Sequence, residues 1–276
     1  MLRAGVIDAA NTTLSPWPVN LGEQEFWAWD ERNMEVHAAM VESMDRGIGR
    51  ILAALEDTGR YDRTLVCYLQ DNGGCAEAIG RQDVPPRVRS GTLRQGRGVL
   101  AGPGDTYISY GEAWSTVSNI AFRMHKHWVY EGGFATPLIV RWPQGFDRAG
   151  ECEHTPGHVI DLMPTALDVA AAAYPPTAPL LESRSLVPLF AGGAIERESI
   201  CWEHEGNRAI RVPDWKLVAE HGKPWELYDL AADRSEQRNL AAEMPDLVDQ
   251  LVTAWNAYAR RTHVMPWDEV LLRAEK

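Results

Sequence analysis

Six residues from Thr64 to Leu69, almost all apolar or β-branched, run straight into Gln70-Asp71-Asn72-Gly73-Gly74. An unbroken run of this length fits a strand covered on both faces, since a half-solvated strand would alternate. Upstream, Val36, Met40, Met44, Ile48, Ile51, Leu52 and Leu55 recur at three- and four-residue spacing, the period of one helix face, which predicts a helix from Asn33 to Asp57. Gly59 supplies its stop. A helix feeding a buried strand that ends in polar residues is the unit of an α/β fold. In open α/β sheets, ligands bind at such strand ends.

The rhythm returns at Pro137 to Trp142, a second buried-strand candidate ended by Pro143, and at His158 to Ala173, a helix candidate. Residues 80 to 118 carry Arg, Gly, Pro and Asp in no regular period and predict a long loop. Past about residue 195 the pattern shifts to short strands, Arg208 to Val212, Trp215 to Ala219 and Glu226 to Leu230, then a helix from Pro245 to Arg260. The expected organisation is an irregular lead-in (1–30), part of a large α/β domain (31–194) and a small α+β subdomain (195–276), an antiparallel sheet with one covering helix.

With 27 Lys and Arg against 39 Asp and Glu, the formal charge is −12, which argues against a nucleic-acid partner. An anionic substrate would need a local basic pocket. The most apolar stretch, VIDLMPTALDVAAAA, is interrupted by Asp161, Pro164 and Asp168, so no membrane span or membrane partner is expected, and residues 1–18 hold no sustained apolar segment of signal-peptide type. Neither feature fixes a compartment. Cys67, Cys75, Cys152 and Cys201 show no CxxC spacing, and Cys67, inside the apolar run, is expected as a buried free thiol.

Asp71 and Asn72 offer a carboxylate and an amide oxygen at a strand end, natural ligands for calcium or magnesium, although two ligands do not complete such a site and Asp-Asn-Gly also favours turns. His125-Lys126-His127, with Arg123 nearby, gathers positive groups beside Gly132-Gly133, as an oxyanion site would; a solvated basic loop has the same composition. Glu203-His204-Glu205 has metal-binding or acid/base chemistry but no partner at metal-ligand spacing, so a structural role is expected. Pro156 and Gly157 separate His154 from His158 and argue against a zinc pair on one helix face.

In order along the chain, MVESMDRGIGRILAALEDTGRYDRTLVCYLQDNGG, SYGEAWSTVSNIAFRMHKHWVYEGGFATPLIVRWP, HVIDLMPTALDVA, ESRSLVPLF, WEHEGNRAIRVPDWKLV and WELYDLAADRSEQRNLA resemble the landmarks of the sulfatase family, in its arylsulfatase branch within the alkaline phosphatase superfamily. The resemblance spans roughly Glu31 to Tyr258. It implies part of the sulfatase α/β sandwich, with a small C-terminal antiparallel sheet and helix. It also implies calcium or magnesium at Asp71 and Asn72, sulfate contact by Lys126, and a sulfate ester as substrate. Such sulfatases carry a Cys-x-Pro-x-Arg or Ser-x-Pro-x-Arg motif whose first residue becomes the formylglycine nucleophile. No such motif occurs here: Cys75 precedes Ala-Glu-Ala, Cys152 precedes Glu-His-Thr and Ser90 precedes Gly-Thr-Leu. The family's early aspartate pair and N-terminal lysine and histidine are also unmatched. The expectation is therefore a C-terminal portion with an incomplete metal site, inactive and poorly stable alone, completed by an N-terminal half. The alternatives are a non-catalytic remnant or partner-dependent subunit, and a related phosphoester or phosphonate hydrolase.

Overall fold

The computed structural model describes residues 1–16, 26–81 and 93–274. The expected lead-in and long loop therefore fall partly outside the described residues, at 17–25 and 82–92, and Ser90 with them.

Helix α1 (Trp27–Asp57) begins six residues before the apolar period predicts. Its first turns are held by burial of Trp29 and Asn33, by a 2.7 Å hydrogen bond from Trp29 Nε1 to the Val99 carbonyl and by an ion pair between Asp30 and Arg81. It stops at Gly59, whose φ of 64° lies in the left-handed region that glycine enters at least cost. The predicted apolar stripe is present but not buried in this chain: Met40 is 65% and Ile51 63% exposed.

Strand β1 (Val66–Leu69) follows. Within the stretch read as loop lies α2 (Gly111–Ser118), then α3 (Glu131–Phe134) and β2 (Leu138–Arg141), which pairs antiparallel with β1, Val66 opposite Arg141 and Leu69 opposite Leu138. Both strands read as suited to burial, with an exposed edge or an uncovered face expected for Thr64 to Leu69 where the rest of the sheet is lacking. β1 is accordingly half-buried throughout and Ile139 of β2 is 60% exposed, because two hydrogen-bonded strands cannot cover both of their own faces. Cys67 is correspondingly a half-buried free thiol, its pKa raised by that burial.

The helix expected over His158 to Ala173 is a 3-10 turn (Val159–Asp161) followed by the shorter α4 (Leu162–Val169), and α5 (Val187–Phe190) comes next. Fully buried Asp161 organises this region by accepting the backbone N–H groups of His158 and Arg184 and pairing with Arg197. His158 Nδ1 accepts the Ile160 N–H at 3.2 Å, so the ring caps the 3-10 turn.

Strands β3 (Ile200–His204), β4 (Asn207–Arg211), β5 (Trp215–Ala219) and β6 (Glu226–Asp229) form an antiparallel sheet in sequence order; β3 has no counterpart in the sequence reading. Helices α6 (Pro245–Arg261) and α7 (Trp267–Ala274) follow, the latter also unexpected. Both faces of the sheet are covered. Ala209, Val218 and Tyr228 pack on Val129 and Tyr130, whereas Ile210, Leu217 and Leu227 pack under Leu251 and Trp255 of α6. The first contact seats the sheet against the segment just after Lys126. Among the described residues, no helix is long and apolar enough to cross a membrane.

Candidate active site

The Asp71–Gly74 turn is held almost entirely through its backbone. Gly73 N donates to Gly133 O at 2.8 Å, and Gly74 N to Asn119 Oδ1 at 2.7 Å. The Gly74 carbonyl accepts from Ser115 Oγ (2.9 Å) and from Lys126 N (3.0 Å). The turn leaving β1 is thus joined to the end of α2, to Lys126 and to the paired glycines of α3. Such an approach requires glycine: a Cβ on Gly73 would lie 1.8 Å from the Gly132 oxygen.

Asp71 is exposed and Asn72 half-buried, and among the described residues neither side chain makes a hydrogen bond, leaving hard oxygens open to a cation. Lys126 Nζ lies 3.0 Å from Glu77 Oε1. That hydrogen bond raises the Lys126 pKa against the opposing desolvation, and nearby Cys75 and Asp71 raise it further. Lys126 therefore stands as a fixed positive charge beside the Asp–Asn turn. Sequence pattern alone gives Glu77 no role.

The other members of the expected basic group disperse. Arg123 turns into the C-terminal sheet, donating to the Tyr228 hydroxyl at 2.8 Å and lying 4.3 Å over the Tyr130 ring. Half-buried His125 has its pKa lowered by desolvation, against the pull of Glu112. His127 reaches the β3–β4 turn, where its Nδ1 is 3.4 Å from Glu205 Oε2 and its ring meets that of His204 edge-on. Glu203 does serve structure, as expected, accepting the Gly206 N–H at 2.7 Å. His204 and Glu205, however, gain through the fold the partner that sequence spacing did not offer.

The sulfatase family profile matches residues 10–172, more than half of the chain. The chain belongs to the sulfatase family. A second profile, N-sulphoglucosamine sulphohydrolase, C-terminal, matches residues 122–258 of this sulfatase chain. An uncharacterised sulfatase of Schizosaccharomyces pombe is 31% identical over 260 residues, covering 88% of this chain and 46% of that protein. An arylsulfatase of Klebsiella aerogenes is 30% identical over 156 residues, 56% of this chain and 32% of that protein. The crystal structure of Ps i-CgsB superposes with a TM-score of 0.64 at 22% identity, covering 90% of this chain and 48% of that one, a likeness of fold. The chain spans less than half the length of these relatives. Sulfatases generally use a divalent metal, and the open oxygens of Asp71 and Asn72 fit part of such a site.

Beneath the candidate site of the sulfatase chain lies a buried charge network that sequence reading missed. Glu131, the first residue of α3, is fully buried with Lys216 Nζ at 3.2 Å, Arg234 Nη2 at 2.9 Å and Arg211 Nη1 at 4.0 Å. Glu236, also buried, lies 2.7 Å from Lys216 through Oε1 and accepts the Glu131 N–H through Oε2 at 2.7 Å. The one available signal was a lysine between Trp215 and Leu217, in a strand otherwise apolar.

The two carboxyls shift in opposite directions. Burial opposes ionisation of Glu131, but Lys216, Arg234 and Arg211 together hold it well below the usual range. Burial lifts Glu236 above that range; Lys216 opposes the rise and the Glu131 charge adds to it. A raised carboxyl stabilises the fold fully below its unfolded pKa, and that contribution fades as pH climbs through the folded value; Glu131 behaves in the reverse sense, losing its contribution in acid. Glu236→Gln should therefore remove a loss of stability that the parent chain shows between about pH 4.3 and neutrality. Urea unfolding across that range checks this, and an unchanged slope in the variant would contradict it.

Proposed function

We propose that this chain is the C-terminal portion of a sulfate-ester hydrolase of the arylsulfatase type, divided near residue 195 into part of the large domain and a small subdomain. In this reading Asp71 and Asn72 supply two oxygen ligands to calcium or magnesium, and Lys126 binds the sulfate as a compact point charge. When bound, the cation would neutralise part of the sulfate charge. The observation that carries the reading is the pair of backbone hydrogen bonds, Gly73 N to Gly133 O and Lys126 N to Gly74 O, which join the lysine loop to the Asp–Asn turn. The nucleophile and the remaining ligands belong to an N-terminal half. Exposed Met40 and Ile51 on α1 and Ile139 on β2 support a missing packing partner on that side.

The test combines the 276-residue chain with a separately expressed sulfatase N-terminal half bearing Cys-x-Pro-x-Arg, and follows 4-nitrophenyl sulfate and 4-nitrophenyl phosphate in parallel. Sulfate ester cleavage should appear only in the mixture. Lys126→Ala should lower it by about 100-fold or more, as loss of a charge-stabilising donor does. Faster phosphate cleavage would favour a phosphoester hydrolase, cleavage by the isolated chain would remove the need for a partner, and an inert mixture would favour a non-catalytic subunit.

A further inference from the structure

His127, His204 and Glu205 come from two segments far apart in sequence, yet their ligand atoms all lie within 4.8 Å of one another. The His127 backbone has a φ of 93° and is followed by Val129 and Tyr130, buried in the core against β4 and β5. Its ring sits edge-on to Trp128 at 4.8 Å and to His204 at 5.1 Å between centroids. The opposing turn is fixed from both flanks: Glu203 accepts the Gly206 N–H, and Asn207 donates to the His204 carbonyl at 2.9 Å while accepting the His221 N–H at 3.0 Å. The backbones are thus held, and the His204 and Glu205 side chains stand exposed at the turn.

We propose that His127, His204 and Glu205 form a binding site for a divalent transition metal, zinc by the chemistry of its donors, that clips the β3–β4 turn onto the loop carrying Lys126. Two imidazoles and one carboxylate suit zinc, whereas calcium and magnesium take oxygen ligands such as Asp71 and Asn72 offer. Ligand atoms about 2.0–2.1 Å from zinc stand roughly 3.4 Å apart along a tetrahedral edge. The 3.4 Å between His127 Nδ1 and Glu205 Oε2 already has that length, and rotation of the exposed His204 side chain closes the remainder. Three protein ligands leave the fourth position to water or to an incoming ligand, as in zinc sites that are not closed. An ion pair between His127 and Glu205 is the competing account, and it gives His204 no part.

The test uses the full chain without a histidine tag, stripped with a chelator and then held in excess calcium so that hard-oxygen ligands are satisfied. Cobalt is added as a spectroscopic probe, followed by zinc in competition. One equivalent of cobalt should give the intense visible absorption of a four- or five-coordinate site, and zinc should abolish it. His204→Ala and Glu205→Gln should each weaken zinc binding by more than the roughly 10–100-fold that loss of an outer-shell partner costs, with the exposed His154→Asn as the control that retains it. Both ligand substitutions lie at an exposed turn, and a thermal melt without metal verifies that each variant folds. Cobalt absorption that is absent, or that survives His204→Ala unchanged, overturns the proposal. Neither arm requires hydrolysis, so the outcome is independent of the sulfate-ester reading.

Discussion

Lys216→Met should destabilise the chain by about 3–5 kcal/mol at neutral pH, the range for removing one partner of a buried ion pair. Lys216 is fully buried and stands between two buried carboxyls, at 3.2 Å from Glu131 and 2.7 Å from Glu236. Methionine replaces much of its stem but none of its charge. Glu131 would keep Arg234 and Arg211, so the larger penalty falls on Glu236, whose neighbouring cation is Lys216. Because burial already raises Glu236, it will take up a proton once the lysine is gone. The loss should therefore shrink as pH falls below neutrality, and adding Glu236→Gln to Lys216→Met should recover part of it. Urea unfolding of the two single variants and the double variant measures this coupling. A loss below about 1 kcal/mol for Lys216→Met would mean that the network is far better hydrated than its burial indicates.

The second large effect is expected at Gly133. An added Cβ would stand 1.8 Å from the Trp128 carbonyl oxygen, a backbone atom that no rotamer change can move away. Gly133→Ala should cost about 3 kcal/mol or more, the upper end of overpacking penalties. It should also break the Gly73 N to Gly133 O hydrogen bond that brings the Asp–Asn turn to the lysine loop. Gly49→Ala is the contrast, since a Cβ there meets nothing within 4 Å on the helical backbone of α1. That change should be neutral or stabilise by roughly 0.5–1 kcal/mol. Thermal unfolding separates the two, and amide exchange at Gly73 and Lys126 shows whether the junction itself has opened. A Gly133→Ala chain as stable as Gly49→Ala, with both amides still protected, would refute the close-approach account.

How far the fold could be read in advance follows the range of the forces that make each element. α6 and β5 match their sequence expectations to within a residue, because apolar period and turn residues act locally. α2 lies in a stretch that reads as loop because its Gly111-Glu112-Ala113-Trp114-Ser115 opening carries little helical period; its hold comes from tertiary contacts, Trp114 Nε1 to the Asp30 carbonyl and Ser115 to Gly74. β1 and β2 match the strands their apolar runs predict but are less buried than those runs suit, since composition reports what a strand is suited to pack against and not whether that partner is at hand.

The sequence by itself determined the family, the α/β elements with their C-terminal antiparallel sheet, and the identity of Asp71, Asn72 and Lys126 as candidates, because these reside in contiguous motifs and short periods. Only the tertiary structure decided which charges meet. It sends Arg123 away to Tyr228, sets Glu77 on Lys126, brings His127 to His204 and Glu205, and joins Glu131 to Lys216 across 85 residues. The physical reason is that hydrogen bonds and ion pairs act over a few ångströms of space, and chain folding, not sequence spacing, determines which groups come within that reach.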